Sequence, residues 1–202
     1  MAKIVLTAGV QGNNDGQPFN ARGGRQGDQL SSDLHGRYYE QTYRGNMFGI
    51  QGTAVTTTAA GAATFTGLAV GNPAGSGINM EVNIVSITQS AALTAATNIG
   101  VMFGPSTTAI TASLTTIANR KVGGAASGCV ATAGQTITSP TQWIIIGGSG
   151  SGAMTVPLLI PSLLYDFGGG LIIPPGYFLA SYTSAASTTA LSFYFQWQEV
   201  PI

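Results

Sequence analysis

The chain has 202 residues, and its seven basic and seven acidic residues give a formal net charge of zero. Only 7% of its residues are charged, against about 25% in an ordinary soluble domain. Because there is no net positive charge to attract phosphates, we do not expect the chain to bind nucleic acid or an anionic membrane through bulk electrostatics. The length suits one large domain, since all-β sandwiches often reach this size undivided.

The N-terminal sequence and the apolar segments predict no membrane insertion. The apolar run after Lys3 is short and no small-residue cleavage pattern follows it, so we expect no signal peptide and synthesis in the cytoplasm. Later apolar segments, QWIII and VPLLIPSLLYDF, are short or interrupted by proline, whereas a membrane-spanning helix needs about 20 apolar residues. The single cysteine, Cys129, excludes an intrachain disulfide and predicts a small buried side chain.

The first 44 residues differ in composition from the rest of the chain. They hold nine of the fourteen charged residues, and residues 11–33 are rich in Gly, Gln, Asn, Asp and Arg with no hydrophobic period. Such a segment cannot bury enough apolar surface to fold alone. We therefore predict an extended N-terminal arm over residues 1–50 and a folded body over residues 51–202.

The junction between the arm and the body, residues 33–49, combines arginine and tyrosine. Both residue types are common anchors in protein interfaces, because each joins an apolar stem or ring to a polar tip. The alternative is that the tyrosines cover the base of the folded body, and both interpretations can hold together. The residues predicted to make contacts from the arm are Arg22, Arg25, Arg37, Tyr38, Tyr39, Tyr43 and Arg44.

The body is predicted to be β-structure throughout, with no helix and no internal repeat. Apolar residues alternate from Ile78 to Ile84 and then shift phase to Val85, which predicts a β-bulge or a strand buried on both faces. The last strand is the clearest, because its aromatic residues alternate with polar ones. The face that we expect to serve core or oligomer packing holds Phe193, Phe195 and Trp197.

The segment LIIPPGYFLASY, residues 171–182, interrupts an apolar run with two prolines and a glycine. Pro174 and Pro175 cannot donate ladder hydrogen bonds and Gly176 suits a turn, so one strand ends and another begins here. A loop and the C-terminal strand follow. This succession predicts an all-β, jelly-roll-like β-sandwich with an extended N-terminal arm.

No catalytic or metal site is predicted. The residue types of a catalytic triad occur at Ser31, Ser32, Asp33 and His35. Triad residues converge from separate elements, whereas these are neighbours in a polar arm. The one histidine and the one cysteine are 94 positions apart and cannot make a zinc site alone. Asp28 and Asp33 are a weak pair of candidate calcium ligands.

Two further patterns are weak signs of a cofactor or substrate. Gly148, Gly150 and Ala153 fit the G-x-G-x-x-A spacing of a dinucleotide loop, but strand-like residues with a proline follow where a helix is needed. A hairpin loop is the alternative. The acids of the body could supply a glycosidase pair but are more typical of surface charges; they are Glu81, Asp166 and Glu199. We therefore expect no enzyme activity, no cofactor and no metal.

Three short motifs resemble a group of tailed-phage virion structural proteins: LHGRYYE at 34–40, IIPPGYFLASY at 172–182 and WQEVP at 197–201. The nearest class is that of head decoration, or cement, proteins with trimeric jelly-roll bodies. The resemblance implies a homotrimer that binds the major capsid protein on the capsid exterior. It also implies that the N-terminal arm contacts neighbouring subunits. Neither nucleic acid nor a membrane is an expected partner. Where a second acid would follow the C-terminal tryptophan, this chain has Gln198 and keeps Glu199.

Two other classes share a β design of this kind: a trimeric tail-fibre or receptor-binding head domain, and a carbohydrate-binding module. A tail-fibre head usually follows a coiled-coil or β-helical shaft, and residues 1–50 show neither heptads nor repeats. A secreted module should have a signal peptide. The body holds five charged residues and the mean hydropathy of the chain is +0.27, so we expect an association that covers part of its surface.

Overall fold

The structure is a computed structural model that describes residues 22–23, 29–30, 36–59, 64–106, 110, 116–134, 136–138, 140–150 and 162–202. The chain divides into two compact units, Met1–Tyr39 and Glu40–Ile202. In the first unit, β1 (Arg22–Gly23) and β2 (Gln29–Leu30) pair in antiparallel fashion. The arm residue Arg25 and the triad-like residues 31–35 lie outside the described residues, as does Asp28.

The other elements are one short helix and twelve strands. They are α1 (Tyr39–Arg44), β3 (Met47–Thr57), β4 (Thr64–Thr66), β5 (Ala69–Asn72), β6 (Ile78–Gln89), β7 (Thr97–Pro105), β8 (Ala118–Asn119), β9 (Val130–Thr132), β10 (Thr136–Thr138), β11 (Gln142–Ser149), β12 (Leu163–Ile173), β13 (Tyr177–Thr183) and β14 (Ser187–Pro201). Within the described part of the chain, no helix is long and apolar enough to cross a membrane.

Two five-stranded antiparallel sheets form a β-sandwich. One sheet has the order β12-β6-β14-β3-β8 and the other β11-β7-β13-β5-β9, while β4 and β10 form a separate two-stranded ribbon. Eight main strands remain when the short strands β8 and β9 are left out. If these eight strands are renumbered from 1 to 8 along the chain, their orders in the two sheets are 1-8-3-6 and 2-7-4-5. This is the interlocked arrangement of a jelly roll, so the predicted fold class is confirmed.

The core lies between the sheets and is centred on β14, which runs between β6 and β3. Phe193, Phe195 and Trp197 project from this strand and have no exposed surface. The Trp197 ring stacks near Phe48 of β3, with 6.3 Å between ring centroids. The aromatic face predicted from the sequence is therefore in the interior of the sandwich.

A β-bulge interrupts β6 close to the point where the sequence shows a shift of phase. Val82 pairs with Trp197 and Ile84 pairs with Gln196, so Asn83 is the extra residue. Val85 is buried whereas Ile84 is half-buried. The change of phase therefore comes earlier than predicted. The predicted placement of Ile84 on the same face as Val82 is wrong, because the extra residue Asn83 reverses the direction of the side chains that follow it.

The Pro-Pro-Gly segment carries the chain from one sheet to the other. The strand β12 ends at Ile173 and β13 begins at Tyr177 in the opposite sheet. Tyr177 N donates to Pro174 O over 3.2 Å, and Gly176 has a φ of 82°, the geometry of a type II turn with Pro175 at its second position. The apolar run is interrupted because its two halves belong to different layers.

The junction contains a helix that the sequence analysis did not predict. Gly45, with a φ of 80°, ends α1: its N–H donates to Thr42 O over 3.0 Å, and Asn46 N donates to Gln41 O over 3.0 Å. This is a Schellman cap. The strand β3 begins at Met47, so the last residues of the interval 1–50 assigned to the arm are part of the first strand of the sandwich.

Candidate interaction surface

The exposed helix α1 lies beside the turn formed by residues 119–124. Asn119 fixes the two segments together, because its Nδ2 donates to Gly45 O over 2.8 Å and to Ala125 O over 2.9 Å. Arg120 N donates to Met47 O over 2.8 Å. Gly124 N donates to Lys121 O over 2.8 Å, and this hydrogen bond closes the turn. The backbone on both sides is therefore held by hydrogen bonds, which positions the side chains that project from it.

Two cations of this turn lie near aromatic rings of the body. Lys121 Nζ lies 5.3 Å from the centroid of the Tyr43 ring and donates to Tyr43 O over 2.9 Å. The Arg120 guanidinium carbon lies 5.9 Å from the centroid of the Tyr194 ring. Contacts of this kind contribute about 0.5–1 kcal/mol at exposed sites. The group Tyr43, Arg44, Arg120, Lys121 and Tyr194 is called the basic–aromatic surface below.

The cations of the basic–aromatic surface differ in their partners. Arg44 forms an ion pair with Glu40 at 2.9 Å, one helical turn away. Among the described residues, neither Arg120 nor Lys121 has a carboxylate within ion-pair distance. Within the described part of the chain, these two positive charges contact rings and backbone and no carboxylate, a chemistry that a carboxylate from a partner would complement.

Tyr194 is the half-buried member of this surface. Its hydroxyl donates to Gln196 Oε1 over 2.9 Å. Burial raises the pKa of Tyr194, and the charge of Arg120 opposes this shift in part. The phenol of Tyr194 therefore stays neutral at physiological pH. The Arg120 guanidinium lies over the face of its ring.

The predicted contact residues fall into two groups in the structure. Tyr43, which is 62% exposed, and Arg44 belong to the basic–aromatic surface. Within the first unit, the Arg37 guanidinium carbon lies 5.2 Å from the Tyr38 ring centroid, and Tyr39 is exposed. The side chain of Arg22 is not described.

Sequence reasoning missed Arg120, Lys121 and Tyr194. The available signal was RKVGG, residues 120–124, where the one pair of adjacent cations in the chain precedes two glycines. A basic pair at a glycine turn indicates an exposed basic tip. Its position beside Tyr43, 78 residues earlier, depends on the sheet order and has no local sequence signal.

The acids of the body make structural hydrogen bonds. Glu199 accepts from the Ser127 hydroxyl, from Gly128 N over 3.1 Å and from Trp197 Nε1 over 3.4 Å. The other two acids are also engaged: Glu81 accepts from Gln198 Nε2 over 2.6 Å, and Asp166 accepts from Gly168 N over 2.8 Å. Among the described residues, no group of three His, Cys, Asp or Glu side chains could hold a metal ion.

The glycine-rich segment considered as a dinucleotide loop belongs to a strand as far as it is described. Gly148 pairs with Asn98 inside β11, which continues to Ser149. A phosphate-binding loop would have to leave the sheet at this point and enter a helix. Ala153, the third residue of that pattern, lies outside the described residues.

Comparison with known protein families, curated proteins and solved structures finds no match for this chain. The function is therefore argued from the residues and the geometry above.

Proposed function

We propose that this chain is a non-enzymatic virion structural protein, a cement or decoration protein that binds and stabilises a tailed-phage capsid shell as a trimer. Its partners are the major capsid protein and two further copies of itself, and its place is the capsid exterior. The observation that carries the proposal is the basic–aromatic surface on a jelly-roll body that is otherwise poor in charge. The jelly roll is a common architecture of viral capsid proteins.

The basic–aromatic surface is suited to a protein partner with acidic side chains. Arginine and tyrosine are enriched among the residues that dominate interface energies. Arg120 and Lys121 have no carboxylate partner among the described residues, so a shell surface that offers carboxylates gains charge-assisted hydrogen bonds there. The chain has zero formal net charge, which favours such a local contact over a general attraction to polyanions.

The N-terminal arm adds reach to this attachment. Its sequence holds nine of the fourteen charges within 44 residues, and an extended chain spans up to about 3.3–3.6 Å per residue. Ordering the arm on the shell costs conformational entropy, which arginine–carboxylate pairs and tyrosine burial offset. The arm is therefore proposed as a docking segment that binds along the shell surface and crosses a boundary between capsid subunits.

Binding to isolated heads tests the proposal. The purified chain is added to heads that lack it, and the pelleted fraction is measured beside a variant without residues 1–36. We expect the full chain to saturate at a fixed number of copies per head. The truncated chain should melt like the full chain but fail to pellet. No pelleting of the full chain contradicts the function, whereas full occupancy by the truncated chain contradicts only the role of the arm.

A further inference from the structure

One surface turn carries an apolar side chain that is almost wholly exposed. Val122 is 99% exposed, more than any other large apolar residue in the described part of the chain. It follows Lys121 in the turn that the hydrogen bond from Gly124 N to Lys121 O closes, and residues 120–126 are all exposed. Residues 120–124 are called the tip below. A single exposed apolar residue is ordinary on a protein surface, so the surroundings of Val122 decide whether it has a role.

The backbone of the tip is fixed by one side chain at its base. Lys121 N donates to Asn119 Oδ1 over 2.9 Å. On the other side of the tip, Asn119 Nδ2 donates to Ala125 O over 2.9 Å. A Cβ atom added at Gly124 would come within 2.7 Å of the Asn119 amide, and Gly123 has a φ of 80°, in the left-handed region that favours glycine. Both glycines of the tip are therefore needed for this turn shape.

The chain that follows the tip is anchored to the C-terminal strand. Glu199 of β14 accepts hydrogen bonds from the Ser127 hydroxyl and from Gly128 N. Cys129 N in turn donates to Ser127 Oγ over 3.0 Å. The tip is thus held at both ends. Because its backbone is already ordered, the tip would lose little conformational entropy on binding, which makes it a preorganised contact.

The charges of the tip indicate the kind of partner. Arg120 and Lys121 precede Val122, and residues 116–134 contain no acidic residue. Within the described part of the chain, the two cations contact rings and backbone. A complementary surface offers carboxylates to the cations. It offers an apolar depression to the valine, because a polar depression would lose its hydration without gaining a hydrogen bond.

We propose that the tip inserts Val122 into an apolar pocket of a partner protein, with carboxylates of that partner at the rim of the pocket facing Arg120 and Lys121. The inference rests on the proposed attachment to the capsid shell and names the chemistry of the contact. The acids of the body already accept hydrogen bonds within the chain. A different protein is therefore a better source of the carboxylates than a second copy of this chain.

Three substitutions at Val122 test the inference by pelleting with heads that lack the chain. Val122→Ala should weaken binding by about tenfold or more, the effect of removing a methylene from an apolar pocket. Val122→Lys should also weaken binding, because it brings a charge into the pocket. Val122→Ile keeps a branched apolar side chain and should bind nearly as the wild type does. All three variants should melt like the wild type, since the residue is exposed.

The outcomes separate this inference from the proposed function. Tighter binding by Val122→Lys than by the wild type would mean that this position faces carboxylates and no apolar pocket, which overturns the inference and leaves the attachment intact. Wild-type affinity for both Val122→Ala and Val122→Lys would overturn it in the same way. If the wild type does not pellet with heads, the proposed function fails and the inference fails with it.

Photo-crosslinking beside the tip identifies the partner. Ala126→Cys places a thiol at an exposed residue and leaves Val122 intact, while the native cysteine, Cys129, is buried. With a photoreactive maleimide on the introduced thiol, illumination of decorated heads should give a covalent product with the major capsid protein. Leu164→Cys is the control, because Leu164 is 66% exposed on β12, at the other end of the strand order from β8, and it should give little of this product. A product between two copies of this chain, or equal products from both variants, would contradict the proposed contact.

Discussion

Three buried hydroxyl groups join the two sheets. Thr57 Oγ1 lies 2.5 Å from Thr183 Oγ1 and 2.9 Å from Ser187 Oγ. Thr57 and Ser187 belong to β3 and β14 of one sheet, and Thr183 belongs to β13 of the other. Because all three side chains are at most 1% exposed, their hydrogen bonds replace water that cannot reach them.

Thr57→Val should lower the free energy of unfolding by about 1–3 kcal/mol, because the buried hydroxyls of Thr183 and Ser187 lose their shared partner and keep only long hydrogen bonds, of 3.5 and 3.4 Å, to backbone carbonyls. Urea unfolding measures the change. Ser181→Ala is the matched control, since Ser181 Oγ is buried and has no hydrogen-bond partner among the described residues. That variant should be neutral or slightly more stable. Similar losses in both variants would mean that the hydroxyl cluster contributes no special stability.

The thiol of Cys129 should be inert in the folded protein. Burial, followed by the negative charge of Glu199, raises the pKa of Cys129 above its usual value of 9.0. At pH 8 we expect a thiol reagent to modify the chain only after unfolding. Because the folded pKa is the higher one, the thiol favours folding fully below pH 9 and loses that contribution as the pH rises further. Cys129→Ala should reduce this loss. Equal modification rates with and without urea would contradict the burial.

Among the elements, β14 contributes most to the core. It is the central strand of its sheet, and three of its aromatic side chains have no exposed surface. Phe193 and Phe195 pack edge to face, with 6.4 Å between ring centroids. Such pairs add about 0.5–1.5 kcal/mol beyond the area that they bury.

Phe195→Ala should reduce the free energy of unfolding by about 3–5 kcal/mol, because truncation leaves a cavity that the surrounding strands fill only partly. The melting temperature should fall markedly in a thermal scan followed by circular dichroism. Val200→Ala, at a residue that is 38% exposed on the same strand, is the control and should change the melting temperature little. An unchanged melting curve for Phe195→Ala would contradict the position of this residue in the core.

The strands were predictable from the sequence to the extent that they follow local rules. Alternation around Phe195 and the Pro174–Gly176 turn are local signals, and both predicted structures are present. The helix α1 was missed because six residues give too little periodicity, although Gly45 after Arg44 is a capping signal. The order of strands in the sheets depends on contacts between distant residues. For the same reason the position of Lys121 beside Tyr43 could not be predicted.

At the scale of the whole molecule, the proposed attachment surface lies at one edge of a body that holds five charged residues. The basic–aromatic surface lies near β8, at one end of the strand order of its sheet. Charged and aromatic anchors of this kind suit attachment to a second protein.

Arg120→Ala combined with Lys121→Ala should weaken attachment to heads and make it less sensitive to salt, because carboxylate contacts are screened as ionic strength rises. Pelleting at increasing salt concentration measures both effects. Arg120→Lys combined with Lys121→Arg keeps both charges and is the control, which should bind nearly as the wild type does. Equal binding and equal salt dependence for all three proteins would exclude the basic–aromatic surface from the attachment.

The number of copies in purified phage particles tests the central claim most directly. Heads and tails are separated, and this chain is quantified in each fraction relative to the major capsid protein or the main tail protein. A decoration protein is expected in the head fraction in many copies, at a fixed ratio to the major capsid protein. Recovery in the tail fraction in a few copies per particle, or in neither fraction, would contradict the proposal that this jelly roll stabilises a capsid shell.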